Sequence, residues 1–131
     1  MEKFPKYPAH QAWSVIHGSM KVELALHVFD EPERTKAHLF AIGGPAGKQF
    51  AIVVGEYDAE KKRHDRQRTR ILLERCAIPD IPGVESRSGE PYNGSRVKQS
   101  DSNLAAPNQS SCLVADEAAL KSLLRWYAAR L

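Results

Sequence analysis

The chain of 131 residues has only two cysteines, Cys76 and Cys112, and no long apolar run. Their spacing fits neither a C-x-x-C zinc site nor the dense disulfide framework of small secreted proteins, so we expect reduced, structural thiols. No window approaches the roughly 20 apolar residues that a membrane-spanning helix needs. Residues 1–13 contain two prolines and no long apolar stretch, which is not typical of a secretory signal. We therefore expect a cytoplasmic protein without a membrane partner.

Motifs of several common catalytic sites are also missing. There is no G-x-S-x-G nucleophile elbow, and the run GGPAGK lacks the spacing of a P-loop and fits a hairpin turn better. The five histidines, at positions 10, 17, 27, 38 and 64, include no pair with ligand-like spacing. The sequence therefore indicates no cofactor, except Mg²⁺ if the protein is a nuclease.

Composition and patterning predict a single α+β domain over residues 1–131. The chain is 42% hydrophobic and 27% charged, as is ordinary for a protein with one core. Met20 to Val28 alternates apolar and polar residues, which predicts a half-buried strand. The runs AHLFAI and KQFAIVV flank a glycine-rich turn and predict a β-hairpin, although the first run could instead end a helix that starts near Asp30. We expect an antiparallel-rich mixed sheet of about four or five strands, with two main helices packed on it.

The two helices are predicted to follow acidic N-caps. Asp58 would cap a basic helix from Ala59 to Ala77, whose clearly apolar residues lie in its second half. Asp116 would cap the last helix, which has apolar residues at i, i+3, i+4, i+7 and i+11. These are Leu120, Leu123, Leu124, Tyr127 and Leu131.

The region between the predicted helices is rich in Gly, Pro, Ser and Asn. We expect a long polar loop over residues 82–111, serving either as a flexible substrate loop or as an ordered surface or partner-docking element. A short strand is predicted at Cys112–Val114.

Positive charge is concentrated in one segment. Residues 60–75 hold seven Lys or Arg and three acids, a net charge of +4 (7 − 3), whereas the whole chain has a formal charge of +3. The candidate phosphate ligands are Lys61, Lys62, Arg63, Arg66, Arg68 and Arg70. Lysine and arginine bind phosphate oxygens without reading base sequence, so we predict a local, sequence-independent nucleic-acid surface. A solvated helix with internal ion pairs, such as Asp65 with Arg68, is an equal alternative.

Glu56 and Asp58 follow directly after an apolar run. At i and i+2 on a strand they would share one face and could hold a divalent cation for phosphodiester cleavage. A strand-edge feature with a helix N-cap is the more common role of such residues.

Residues 36–81 have the predicted order hairpin, helix, strand. They read AHLFAIGGPAGKQFAIVVGEYD, then a helix containing Asp65, Arg70, Leu72 and Leu73, then CAIPDI. This order resembles the core of restriction-endonuclease-like proteins of the very-short-patch-repair type. The resemblance implies that Glu56 and Asp58 are the metal-binding pair of the second strand, with Lys61 as the nearby basic residue. Ala37 and His38 stand where that family has a first-strand Asp, which leaves the metal one carboxylate short.

These features predict a nucleic-acid-binding protein, a reduced or inactive relative of restriction-like nucleases, that contacts the phosphate backbone through its basic helix. The missing carboxylate favours binding over catalysis, and an active Mg²⁺ nuclease that uses Glu56 and Asp58 has the least support. The alternative is a small protein-binding module, such as an inhibitor, immunity or anti-defence protein, that docks on an acidic partner.

Overall fold

The fold is seen in a computed structural model, which describes residues 5–30, 37–53, 56–58, 63–65, 68–87, 92, 94–105 and 107–130. The helical elements are α1 (Ala9–Val15), a π-helical turn (Ile16–Met20), α2 (Lys21–Glu23), a 3₁₀ turn (Ser95–Lys98) and α3 (Glu117–Ala129). The strands are β1 (Leu26–Val28), β2 (Ala37–Ile42), β3 (Gln49–Val53), β4 (Glu56–Asp58), β5 (Arg63–Asp65), β6 (Thr69–Glu74), β7 (Val84–Ser86) and β8 (Gln109–Val114). No helix in these ranges is long and apolar enough to cross a membrane.

Six strands form one sheet in the order β1-β2-β3-β6-β8-β7. Every neighbouring pair in it is antiparallel. Strands β4 and β5 pair only with each other and form a second, two-stranded sheet. The prediction of an antiparallel-rich α+β domain is therefore confirmed, and the main sheet has more strands than expected.

The β2–β3 hairpin is confirmed around the predicted glycine turn. Gly43 has φ 82°, a left-handed conformation that glycine adopts without the steric cost of a Cβ. Phe40 faces Phe50 across the two strands, with ring centroids 5.2 Å apart and nearly parallel. The run AHLFAI is thus a strand and not the end of a helix.

The strand predicted from Met20 to Val28 is wrong in its first half. Only Leu26–Val28 forms β1, because the helical path of α1 continues through the π-helical turn and α2. Ile16 and Met20, at i and i+4, are both fully buried, while Val22 is 84% exposed. Burial of one helical face, which alternation of residue type cannot reveal, decides the conformation here.

The helix predicted from Ala59 to Ala77 is also wrong. Within the described part of that range the chain forms β5 and β6. β6 lies at the centre of the sheet and is covered on both faces: Ile71 and Leu73 pack in the main core, and Leu72 packs in a second cluster. A strand buried on both faces is a continuous apolar run, which hydrophobic periodicity does not distinguish from a buried helix.

The last helix is confirmed together with its cap. Asp116 Oδ1 accepts a hydrogen bond from the Ala119 N–H at 2.8 Å. Of the predicted stripe, Leu120, Leu123, Leu124 and Tyr127 lie in the main core, and Leu131 lies outside the described residues. The Tyr127 hydroxyl donates to the Gln49 carbonyl at 2.5 Å and accepts from the Glu74 N–H at 2.9 Å. These two bonds tie α3 to β3 and β6 at once.

The other face of the sheet is covered by part of the predicted loop. The range 82–111 contains β7, the 3₁₀ turn and the start of β8. Val97 and Leu104 are buried against a second apolar cluster on the sheet. Its sheet residues are Leu39, Ala51, Val53 and Leu72. Two apolar residues of this mostly polar segment thus pack on the sheet. We call residues 94–105 the strap.

A buried ion pair fastens the strap. Arg96 Nε lies 2.8 Å from Asp30 Oδ1, and both side chains are less than 10% exposed. Asp30 Oδ2 also accepts the Leu39 N–H at 2.7 Å. Arg96 Nη1 binds Asp101 Oδ1 at 2.8 Å, and this hydrogen bond holds the pKa of the Asp101 carboxyl below its ordinary value. Gln49 Nε2 donates to the Asp101 carbonyl at 2.7 Å, which joins the strap to β3.

Replacing Arg96 with Met should destabilise the protein by about 3 kcal/mol or more, because it leaves the Asp30 carboxylate buried without its counter-charge. The measurement is the urea midpoint. Lys98→Met is the matched control, since Lys98 lies in the same 3₁₀ turn but is exposed. Equal midpoints for the two variants would contradict the role given to Arg96.

Candidate nucleic-acid interface

Strands β4 and β5 form a ribbon that lies in the chain between two central strands. β3 and β6 pair with each other as far as Val53 opposite Arg70. The ribbon has its own register, with Glu56 opposite Asp65, Tyr57 opposite His64 and Asp58 opposite Arg63. Two residues connect β3 to β4 and three connect β5 to β6, so the two ladders are not continuous. The ribbon is therefore a distinct element that branches from the centre of the sheet.

The predicted cation set divides between the ribbon and the sheet. Arg63 is the first residue of β5, while Lys61, Lys62 and Arg66 lie outside the described residues. Arg68 is half-buried and precedes β6. The helix that was expected to carry all of these residues is absent where the structure describes the segment, so a ribbon and its flanks take its place.

Arg70 differs from the other predicted phosphate ligands. It lies within β6 and is only 7% exposed. Its Nε donates to Ser111 Oγ on β8 at 2.6 Å. A guanidinium held in this way has little surface left for a phosphate, so we assign Arg70 to the sheet and not to the interface.

The register of the ribbon bears on the predicted metal pair. Glu56 and Asp58 are confirmed as strand residues at i and i+2, and the position opposite Glu56 is Asp65. Residues directly opposite each other in an antiparallel pair share a face, so three acidic positions and Arg63 occur on one face of the ribbon. Sequence spacing did not indicate Asp65, because its pairing depends on the turn between the strands.

The first-strand carboxylate of the resembled family has no counterpart on β2. Ala37 and His38 are both strand residues and are each 2% exposed. In the described part of the chain, no three His, Cys, Asp or Glu residues are grouped so that they could hold a metal ion. The structure also departs from the resembled core after β4, since β5 and β6 replace the expected helix.

Neither cysteine is suited to act as a nucleophile. Cys112 is fully buried in β8, and burial, followed by the proximity of Cys76, raises the pKa of its thiol to about 12. Burial also raises the pKa of the Cys76 thiol. Both cysteines are free, and the reactive species of a cysteine is the thiolate, so a structural role fits both residues.

A cleft between α1 and the start of α3 is a feature that the sequence did not indicate. Its volume is about 540 Å³, and its lining includes Lys6, Tyr7, His10 and Glu117. Burial, then the charges of Glu117 and Asp116, raises the pKa of the Tyr7 phenol to about 12, so the phenol remains protonated at neutral pH. The cleft is lined by residues more than 100 positions apart in the sequence, such as Lys6 and Glu117, so no pattern within one segment predicts it.

Comparison of the chain with protein-family models, with curated proteins and with solved structures finds no match. The function must therefore be inferred from the residues of this chain.

Replacing Arg70 with Met should lower stability by about 1–3 kcal/mol, because it removes a buried donor and leaves Ser111 Oγ without that partner. Binding of oligonucleotides by the folded variant should be unchanged. Arg75→Met, at an exposed position just beyond β6, controls for the loss of one charge. Urea unfolding and an anisotropy titration measure the two effects. If the Arg70→Met variant is as stable as the wild-type protein but binds oligonucleotides more weakly, Arg70 belongs to the nucleic-acid interface.

Proposed function

We propose that this protein binds nucleic acid through contacts between the phosphate backbone and the β4–β5 ribbon with its flanks. The observation that supports this most directly is the location of the charge. Residues 61–68 hold five Lys or Arg and one acid, a net charge of +4 (5 − 1). Because the formal charge of the whole chain is +3, the other residues together have a net charge of −1 (3 − 4). In the described part of this segment, residues 63–65 form β5 of the ribbon, and Arg68 directly precedes β6.

A two-stranded ribbon is a suitable shape for such contacts. The major groove of B-form DNA admits either an α-helix or a two-stranded β-ribbon. Lysine and arginine side chains that bind phosphates release counterions from the DNA, which makes the binding dependent on salt. Contacts to the phosphate backbone carry no sequence information, so we expect little sequence preference.

Reversing the charge of Lys61, Lys62 and Arg63 to Glu should abolish most of the binding at low salt. For duplex DNA, each lost phosphate contact should reduce the slope of log K against log salt by about 0.9. Fluorescence anisotropy with labelled single-stranded and duplex oligonucleotides over a salt series measures both changes.

The matched control reverses three exposed cations elsewhere, Lys6, Arg75 and Lys98, and so changes net charge by the same amount. If both triple variants lose equal affinity, general attraction and not the ribbon explains the binding. If the wild-type protein binds no oligonucleotide at low salt, the proposal fails. Capture of an acidic protein that persists after nuclease treatment and is lost in the ribbon variant would then favour the protein-binding module.

We further propose that binding occurs without cleavage. Glu56 and Asp58, even with Asp65 facing them, lack the carboxylate that the resembled nucleases carry on the first strand, where β2 has Ala37 and His38. The set of carboxylates that Mg²⁺-dependent cleavage would need is therefore incomplete.

Incubation of the protein with oligonucleotides and Mg²⁺ should give no cleavage products on a denaturing gel. Products that appear only with Mg²⁺ would contradict this. If they are lost in Glu56→Gln but kept in Glu85→Gln, which changes an exposed acid on β7, Glu56 is catalytic.

A further inference from the structure

The helical segment 9–23 is irregular at the point where it meets the sheet. α1 passes into a π-helical turn in which Gly18 has φ −97° and ψ −105°, values outside the helical range. Gly18 therefore marks a kink between two helical stretches. Ile16 and Met20 in this turn are fully buried against the main core. The segment is thus anchored on the sheet by an irregular turn and not by a regular helix.

His17 lies in this turn, between aromatic rings from the helix and the sheet. Its ring centroid is 4.0 Å from that of Trp13 on α1 and 5.2 Å from that of Phe40 on β2. Trp13 also contacts His38 on β2 edge-on, at 6.4 Å. The Nε2 atom of His17 is buried and has no hydrogen-bond partner among the residues that the structure describes. The imidazole therefore joins the segment to β2 through ring packing.

We propose that His17 is a pH-sensitive latch, whose neutral imidazole holds the helical segment 9–23 on the sheet and whose protonation weakens that docking. Protonation would give Nε2 a buried N–H without an acceptor and would place a positive charge near Lys21 of α2 and His38 of β2. A cation–π attraction to Trp13 acts in the opposite direction, but a buried charged donor without a partner costs more than that attraction returns.

The direction of the pH dependence follows from the environment. Burial, then the charges of His38 and Lys21, lowers the pKa of His17 below its ordinary value. A group whose pKa is lower in the folded protein contributes its full stability above the unfolded pKa, about 6.5 for His. That contribution is lost as the pH falls from there towards the pKa of the folded state. The docking of the segment is therefore strongest at neutral pH and weakens on acidification.

The docking can be followed through Trp13. Trp126 is the other tryptophan of the chain, so Trp126→Phe leaves Trp13 as the sole reporter. We expect its emission to change between about pH 8 and pH 5, with a midpoint below 6.5. Amide hydrogen exchange of residues 9–23, measured over the same pH range and corrected for the intrinsic rate, should accelerate with the same midpoint. Emission that changes without faster exchange would show only quenching by the charged ring and would overturn the proposal.

Substitution then assigns the transition to His17. In His17→Phe, which keeps an aromatic ring and removes the titration, the transition should disappear. His10→Gln is the matched control, because His10 is an exposed histidine on the same helix, and it should leave the transition unchanged. A transition that persists in His17→Phe would overturn the proposal. If that variant does not fold, NMR titration of the imidazoles in the wild-type protein replaces it. A titration midpoint of His17 at or above 6.5 would overturn the proposal. So would a His17 midpoint that differs from that of the amides of residues 9–23.

Discussion

The buried pair between Arg96 and Asp30 determines how this small protein completes its core. The sheet is apolar on both faces, and in the described part of the chain the α-helices pack against one of them. Val97 and Leu104 of the strap cover the other face, and Arg96 fixes their position. Moving two charges out of water is costly, so such a pair is tolerated only when further hydrogen bonds complete it. Asp101 and the Leu39 N–H provide these bonds.

Coverage of both faces explains the character of the central strands. β2, β3 and β6 are buried along almost their whole length, which requires apolar residues on both sides of the strand. The few polar residues there, among them Gln49 and Arg70, have partners on the strap or on a neighbouring strand. The burial of these polar residues is explained by contacts within the fold and does not indicate a ligand site.

The ribbon follows the buried, apolar part of β3 in the sequence. Within the connection from β3 to β6, composition changes from apolar residues to a segment of charged ones. Moving charged residues into the dry interior of the sheet has a large desolvation cost, and β4 and β5 pair with each other outside the main sheet. The connection from β3 to β6 thus joins two central strands of the core and contains the separate β4–β5 ribbon, which overlaps the cation-rich stretch of the sequence. His17 acts on a different part of the molecule, where helix and sheet meet, so the latch and the ribbon can be tested independently.

Local signals in the sequence determined several elements. The glycine turn fixed the β2–β3 hairpin, because Gly43 accepts a left-handed conformation that few other residues tolerate. Asp116 and the leucine stripe predicted α3, because an N-cap and a helical period of apolar residues can be recognised within a short stretch of sequence. The charge of residues 61–68 was likewise visible in the sequence.

Only the tertiary structure decided the rest. Whether the run ILL of β6 became helix or strand depended on partners on both sides, namely β3 and β8. The pairing of Asp30 with Arg96 joins residues 66 positions apart, and that of Glu56 with Asp65 depends on the register of a hairpin. The packing of the half-buried His17 ring likewise requires Phe40 from another element. Contacts of this kind arise when separate segments pack together, so no periodicity or motif within one segment could predict them.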